Sequence, residues 1–458
     1  MSESTGFAKV LKSREVVSLA FGAMIGWSWV LMTGVWLTDA GSLGTLIAFA
    51  IGGFAVTLIG LTYSELAAAM PKAGGEHIYT MRALGHRWSF ACTWALLFSY
   101  VNVCLFEAVA LPSAVEYLLP EIRLGTLWTF LGSDVDLGFA LLGAGAAALV
   151  AWVNVLGIRT AAFMQTAVTG LILVSGALLI SGAAAFGNLD NAQPLIATPA
   201  SGIIAVLIMV PALLVGFDVI PQSAEEIDLP PNKIGRLLVI SVTCAVVWYG
   251  LITFAVSLGL TRAEQQTSTM ATADAARWLW QHPWAGTLLV LGGIGGIMTS
   301  WNAFIVGGSR VLYALAKSGH VPAIFAAIHP VYKTPWVGIA AIGALSMIAP
   351  LFGKTILVWL INSGSFATTT AFLFVAISFL VLRHREPAMP RPFKVSHPRL
   401  VGYGAVILSL GLLGAFLPWS DSALAWPEEW LTIVIWSALG LALLIRYEMQ
   451  AKRSEDEG

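Results

Sequence analysis

The amino-acid sequence predicts an all-α membrane protein of twelve transmembrane helices. Composition, the length of the apolar runs and the distribution of basic residues carry that reading. Of 458 residues, 58% are hydrophobic and 11% charged, against about 25% charged in a soluble chain. Backbone groups in hydrocarbon must be satisfied internally, which leaves helices or closed barrels. The apolar runs have helical length, about 20 residues, rather than the roughly 10 of alternating barrel strands. A formal net charge of −1 offers no basic field for nucleic acid. Cys92, Cys104 and Cys244 all lie in apolar stretches, so no disulfide framework is implied.

In order, the spans are residues 16–38, 40–64, 88–106, 138–159, 160–189, 191–217, 237–261, 278–309, 334–353, 355–382, 400–420 and 430–445. The first apolar run begins only at Val16 and has no small-residue cleavage pattern behind it, so it reads as a span rather than a removable signal. Spans four and five are divided only by Gly157-Ile158-Arg159-Thr160. The charges require that turn: with a cytoplasmic N-terminus, 20 of the 24 Lys and Arg fall inside, leaving Arg123, Arg262, Arg277 and Lys354 outside. Without the turn every later basic loop would change sides. Both termini are therefore expected in the cytoplasm, with the chain in a bacterial inner membrane.

Span 1 contains Gly22-Ala23-Met24-Ile25-Gly26-Trp27-Ser28, and span 6 contains Pro211 and Leu214 through Pro221. These interrupted segments run in opposite directions five spans apart, the arrangement expected of an inverted-repeat transporter with its site where the breaks meet. The organisation is then a tail (1–15), a first repeat of spans 1–5 (16–189), a second of spans 6–10 (190–382), a loop with spans 11 and 12 (383–447), and a tail (448–458).

At these residues the chain resembles the amino acid-polyamine-organocation (APC) permeases. The motifs are Gly22-x-x-Ile25-Gly26-x-Ser28; Tyr63-Ser64-Glu65-Leu66 with Met70-Pro71-Lys72-Ala73-Gly74-Gly75-Glu76; and Gly216-Phe217-Asp218 with Glu225-Glu226 and Pro231-Asn232-Lys233. Ser309 through Ala314, Gly319 through Pro322, Thr334-Pro335 and Arg391 through Val395 complete the series. Where the family has a run of small residues, this chain has Trp27-Ser28-Trp29. The resemblance implies the LeuT-type fold, a 5+5 inverted repeat plus two additional helices.

Helix breaks expose N–H and C=O groups that are tolerated at membrane depth only around a cavity or ligand. By analogy with that fold, N–H groups around Gly26, Trp27 and Ser28 would take a carboxylate. Carbonyls around Leu214, Val215, Gly216 and Phe217 would face an ammonium. Alternatively, Gly22 and Gly26 only let helices approach closely. Asp218 is either a substrate contact or a cap on the unwound segment, and Glu107 either binds an amine or proton or snorkels outward. Trp27 would narrow the pocket and favour a compact or flat substrate.

Thr299 and Ser300 in span 8 put adjacent hydroxyls near the first break, a donor set suited to a hard cation. This looks like the second sodium site of the LeuT fold, with the carbonyls of Gly22, Ile25 and Gly296 as further ligands. The lysine that occupies this place in many sodium-independent members is missing from Leu171-Ile172-Leu173. The alternative is that both hydroxyls bond back to their own helix. No other cofactor is implied. Gly353-Lys354-Thr355 lacks the rest of a phosphate loop, and all seven histidines read as loop residues.

The expected function is secondary active uptake of a small amino acid or related amine, first expected to be sodium-coupled, with small-molecule substrate and membrane lipid as partners. Proton-coupled symport, uncoupled exchange and a receptor of the same fold are the alternatives. Nothing suggests an enzyme, and loops of at most about 20 to 30 residues leave no soluble sensor domain.

Overall fold

The apolar runs fold as helices almost throughout the computed structural model, which describes residues 7–197, 201–420 and 423–456. Parts of both expected tails (1–6, 457–458), of span 6 (198–200) and of the loop before span 12 (421–422) lie outside the described residues. Span 1 is divided into α1 (Ser13–Met24), α2 (Ser28–Leu31) and α3 (Thr33–Ala40). There follow α4 (Ser42–Ala69), the short α5 (Glu76–Leu84), α6 (His86–Leu118), α7 (Leu137–Val155) and α8 (Ile158–Phe186). The second break lies between α9 (Ser201–Leu213) and the single turn α10 (Val219–Gln222). Then come α11 (Pro231–Gly259), α12 (Arg262–Thr267), α13 (Ala271–Trp280), α14 (Pro283–Lys317), α15 (Trp336–Ile348), α16 (Ile356–Arg385), α17 (Pro398–Ala415) and α18 (Glu428–Asp456).

Among the described residues nine helices, α4, α6, α7, α8, α11, α14, α16, α17 and α18, are long and apolar enough to cross a membrane. The other three expected spans are the broken α1–α3, the shorter α9, and α15 with the 3-10 turn Ala349–Phe352. The turn between α7 and α8 is made by Gly157 at φ 125°, which an L side chain rarely adopts.

Two expected spans need correction, and one loop holds structure of its own. The third run does not stop at Phe106 but continues to Leu118, because Glu107 is buried inside the bundle rather than marking an end. The eighth does not begin at Trp278: Gln281 in the left-handed conformation and Pro283 at the first helical position separate α13 from α14. The loop before α7 holds a hairpin of β1 (Thr126–Phe130) and β2 (Ser133–Asp136). Its two-residue turn, Leu131-Gly132, has positive φ at both positions (46° and 80°), the geometry that matches strand twist.

The centre of the bundle is α14 and α6, whose apolar windows are 83% and 78% buried, while α18, at 6%, lies at the rim. Ion pairs sort the helix ends into two faces. On the face of the N-terminal segment, the N–H groups of Val10 and Leu11 donate to the Glu226 carbonyl (2.9 and 3.0 Å). Arg310 holds the Glu226 carboxylate at 2.8 Å with both side chains 1% exposed. Glu65 binds Arg383 (2.5 Å) and Arg391 (3.0 Å), and Arg82 pairs with Glu386 and Arg87 with Glu448. On the opposite face Glu116 takes both Lys354 and Arg123.

Arg310→Met should strand Glu226 as a buried, unpaired charge and lower stability by about 3–5 kcal/mol. Arg82→Ala, at a solvent-exposed pair, should leave the thermal midpoint nearly unchanged. Thermal unfolding of the two purified variants checks the contrast.

Candidate functional site between the two helix breaks

The break in span 1 begins where α1 ends. Ile25 N–H still reaches the Phe21 carbonyl (2.9 Å), but the N–H groups of Gly26, Trp27 and Ser28 meet no acceptor among the described residues. Space at Gly26 is tight, since a Cβ there would lie 3.2 Å from Glu107 Oε1 and 3.6 Å from Ser300. In span 6, Pro211 lies in the last turn of α9 and Gly216 takes φ 127°. A Cβ on Gly216 would stand 2.9 Å from the carbonyl carbon of Ala23 and 3.0 Å from the Met24 nitrogen. The two breaks therefore lie directly against each other. Among the described residues no well-formed hydrogen bond reaches the carbonyls of Leu214 or Val215, whereas that of Phe217 accepts from Ile220 N–H at 3.2 Å.

Two tyrosines hold this crossing. Tyr249 of α11 donates to the Met24 carbonyl (3.0 Å), shares a hydrogen bond with the Ser28 hydroxyl (2.9 Å), and lies 3.5 Å from the Leu213 carbonyl. Tyr100 of α6 donates to Asp218 Oδ2 at 2.5 Å, and Asp218 Oδ1 accepts from Gly216 N–H at 2.8 Å. Asp218, fully buried, thus clasps the unwound segment.

A cavity of about 960 Å³ reaches this junction. Trp27, Ser28, Phe106 and Leu213 line it at the breaks, and the Glu116–Lys354 pair stands at its other end, on the face away from the N-terminal segment. Of the residues picked from sequence, Trp27 and Ser28 line the cavity. Glu107, Leu214, Val215, Gly216, Phe217 and Asp218 do not, and span 6 contributes Ile208, Met209 and Leu213 in their place. Glu107 sits behind Gly26, 2% exposed, with Oε2 unpartnered.

At the expected cation site, the Ile25 carbonyl oxygen would be 2.8 Å from a Cβ on Gly296, so the first break does bear on α14. Ser300 lies beside Gly26, but Thr299 donates to the Gly295 and Gly296 carbonyls of its own helix (3.1 and 3.0 Å). Gln165 of α8 fills the space next to Gly22 and donates to the Ser18 carbonyl (3.2 Å). Its Oε1 accepts from Asn302 (2.7 Å), whose Oδ1 accepts from Asn154 (2.9 Å). Sequence alone assigns no site role to this buried amide chain, to Tyr249 or to Tyr100. The signal was available: a polar side chain inside an apolar span is costly and marks a site or a junction. The histidines also need correction, since His77 lies in α5, where it packs edge-on against His320 (5.9 Å between ring centroids), and His86 and His384 also lie in helices.

Comparison with known proteins places the chain among transporters. A family model described as amino acid permease matches residues 11–439. The branched-chain amino acid permease of Bacillus subtilis (strain 168) is 26% identical, over 94% of this chain and 91% of its own length. The methylthioribose transporter of the same organism is 26% identical over 97% and 95%. The Asc-type amino acid transporter 1 of Mus musculus is 25% identical over 91% and 82%.

Proposed function

Because the chain belongs to the amino acid permease family, within the APC superfamily, we propose that it imports a small amino acid or related amine across a bacterial cytoplasmic membrane by alternating access. One observation carries the reading: three unpaired N–H groups at Gly26, Trp27 and Ser28 beside a cavity, with the unpaired carbonyls of Leu214 and Val215 on the facing break. Such a pair of broken helices offers donors to a carboxylate and acceptors to an ammonium. Twelve crossings in two five-span repeats plus two helices, with both termini cytoplasmic, accommodate this geometry. The cavity then opens outward, and Asp218–Tyr100 and Glu226–Arg310 close the inner end. Trp27 forms part of the pocket floor, which favours a compact or flat substrate.

Accumulation against a gradient needs a driving ion or an exchanged solute. Sodium at Gly22, Ile25, Gly296, Thr299 and Ser300 is a second reading, favoured by the Ile25 carbonyl on Gly296. The Gln165 amide and the back-bonded Thr299 favour a junction held without a metal ion, hence proton coupling or exchange. Uptake of amino acids and amines into vesicles, in sodium and in choline media, tests both levels. We expect an amino acid to accumulate equally in the two media and Thr299→Val to change uptake less than about twofold. Sodium dependence weakened by Thr299→Val would restore the sodium reading, and no uptake of any amino acid or amine would refute the function.

A further inference from the structure

A second polar centre lies on the N-terminal side of the breaks, away from the cavity. Asp218 immediately precedes α10 and Gln222 ends it, so the two residues lie one turn apart on one face. Asp218 holds the Tyr100 hydroxyl, and the Gln222 amide donates to Glu76 Oε2, which seats α5 against α10. Glu76, Tyr100, Asp218 and Gln222 are all fully buried.

Positive charge is what this centre lacks. Glu76 Oε1 and Gln222 Oε1 have no well-formed hydrogen bond among the described residues, and the unpartnered groups beside them, the hydroxyls of Tyr63 and Ser223, can donate a hydrogen bond but bring no charge. A buried carboxylate without a counter-ion is costly. No described cation supplies one. Arg82 is bound to Glu386, Arg385 to the Ala83 carbonyl and Arg310 to Glu226. His77, next on α5, bonds Thr93 and Ser89, and burial holds it down to about 4, so it is neutral. Tyr63, Tyr79, Tyr100 and Cys92, the other titratable groups facing Glu76, carry no charge near neutral pH. Burial, then the neighbouring Asp218, push the Glu76 carboxyl well above the usual carboxylate range. Two carboxylates sharing a dry site do not both ionise.

We propose that Glu76 and Asp218 together hold a single proton while the inner end of the protein is closed, and release it to the N-terminal face when α10 leaves α5. The proposal rests on the alternating-access reading. Closing takes one proton from water onto a carboxylate oxygen, opening returns it, and no other bond is made or broken. A proton needs no cavity, which suits a centre the main cavity does not reach. The closed form is then favoured at low pH and loses its advantage as pH rises.

Ala224, 4% exposed and first in the 3-10 turn that follows α10, reports opening. Ala224→Cys, with Cys244→Ser, is labelled with a maleimide in detergent between pH 6 and 8. Each rate is divided by that of a free thiol at the same pH, and labelling of the Cys244→Ser protein is subtracted. We expect at least a tenfold faster corrected rate at pH 8, and a slow, pH-insensitive rate in Glu76→Gln, which keeps the carboxyl site uncharged. Glu107→Gln should retain the slope. The proposal is overturned if the corrected rate is flat in the protein with Glu76 intact, if Glu76→Gln keeps the slope, if Glu107→Gln removes it, or if the rate follows sodium or potassium at fixed pH. Should Glu76→Gln fail to fold, Asp218→Asn takes its place and the slope of the parent protein still decides. Vesicle uptake is a separate readout: no uptake with an intact pH slope would refute the transport reading and leave the proton site standing.

Discussion

Gly216→Ala should lower uptake at least a hundredfold while the protein still reaches the membrane. At φ 127° any Cβ is strained, and this one would meet main-chain atoms of Ala23 and Met24 at 2.9 and 3.0 Å. Backbone cannot swing aside as a flexible side chain can. Relief requires the two breaks to part, which displaces the N–H groups of Gly26 to Ser28 from the carbonyls of Leu214 and Val215. A hundredfold loss corresponds to about 2.8 kcal/mol, within the roughly 1–3 kcal/mol that one strained backbone position costs plus the lost alignment. Gly411→Ala in α17, where a Cβ meets nothing within 4 Å, should transport normally. Vesicle uptake normalised to the amount of protein in the membrane reads both, and normal transport by Gly216→Ala would reduce the contact to helix packing.

Tyr249→Phe should lower both uptake, by about tenfold or more, and the thermal midpoint. Its hydroxyl has one proton, given to the Met24 carbonyl at 3.0 Å, and its oxygen can accept from Ser28 at 2.9 Å. Removing it leaves a buried carbonyl unsatisfied, at about 1–3 kcal/mol. The ring itself, stacked on Phe49 and edge-on to Trp36, stays in place, so the loss isolates the hydroxyl. Ser28→Ala leaves Tyr249 its bond to Met24 and should cost less stability. Thermal unfolding and uptake measured on the same preparations separate the two contributions; an unchanged midpoint in Tyr249→Phe would mean that the Met24 carbonyl is satisfied some other way.

The segments of the bundle were legible because hydropathy and helical length are local, and the breaks because two Gly/Pro-interrupted apolar runs lie five spans apart and opposite in direction. What escaped was long-range or degenerate. Tyr249 meets Ser28 across 221 positions, and Gln165 meets Ser18 across 147 and Asn302 across 137; no local pattern pairs them. Met209 and Leu213 line the cavity, yet an apolar side chain facing a cavity looks the same in sequence as one facing lipid. The charge of Glu107 ends the third apolar run at Phe106, whereas the helix continues to Leu118 and encloses that carboxylate. The β1–β2 hairpin was missed because its strands are short and only Leu131-Gly132 marks the turn.

The central claim is that an amino acid occupies the junction of the two breaks. Leu31, one turn beyond Ser28, lines the cavity and is 40% exposed. With Leu31→Cys in the Cys244→Ser background, the rate of maleimide labelling is measured across a panel of amino acids and of the matching amines that lack a carboxylate. The account predicts that at least one amino acid slows labelling in a saturable way, that its amine analogue does not, and that Gly216→Ala removes the protection. Labelling that no amino acid alters, or that the amine slows equally well, would contradict it.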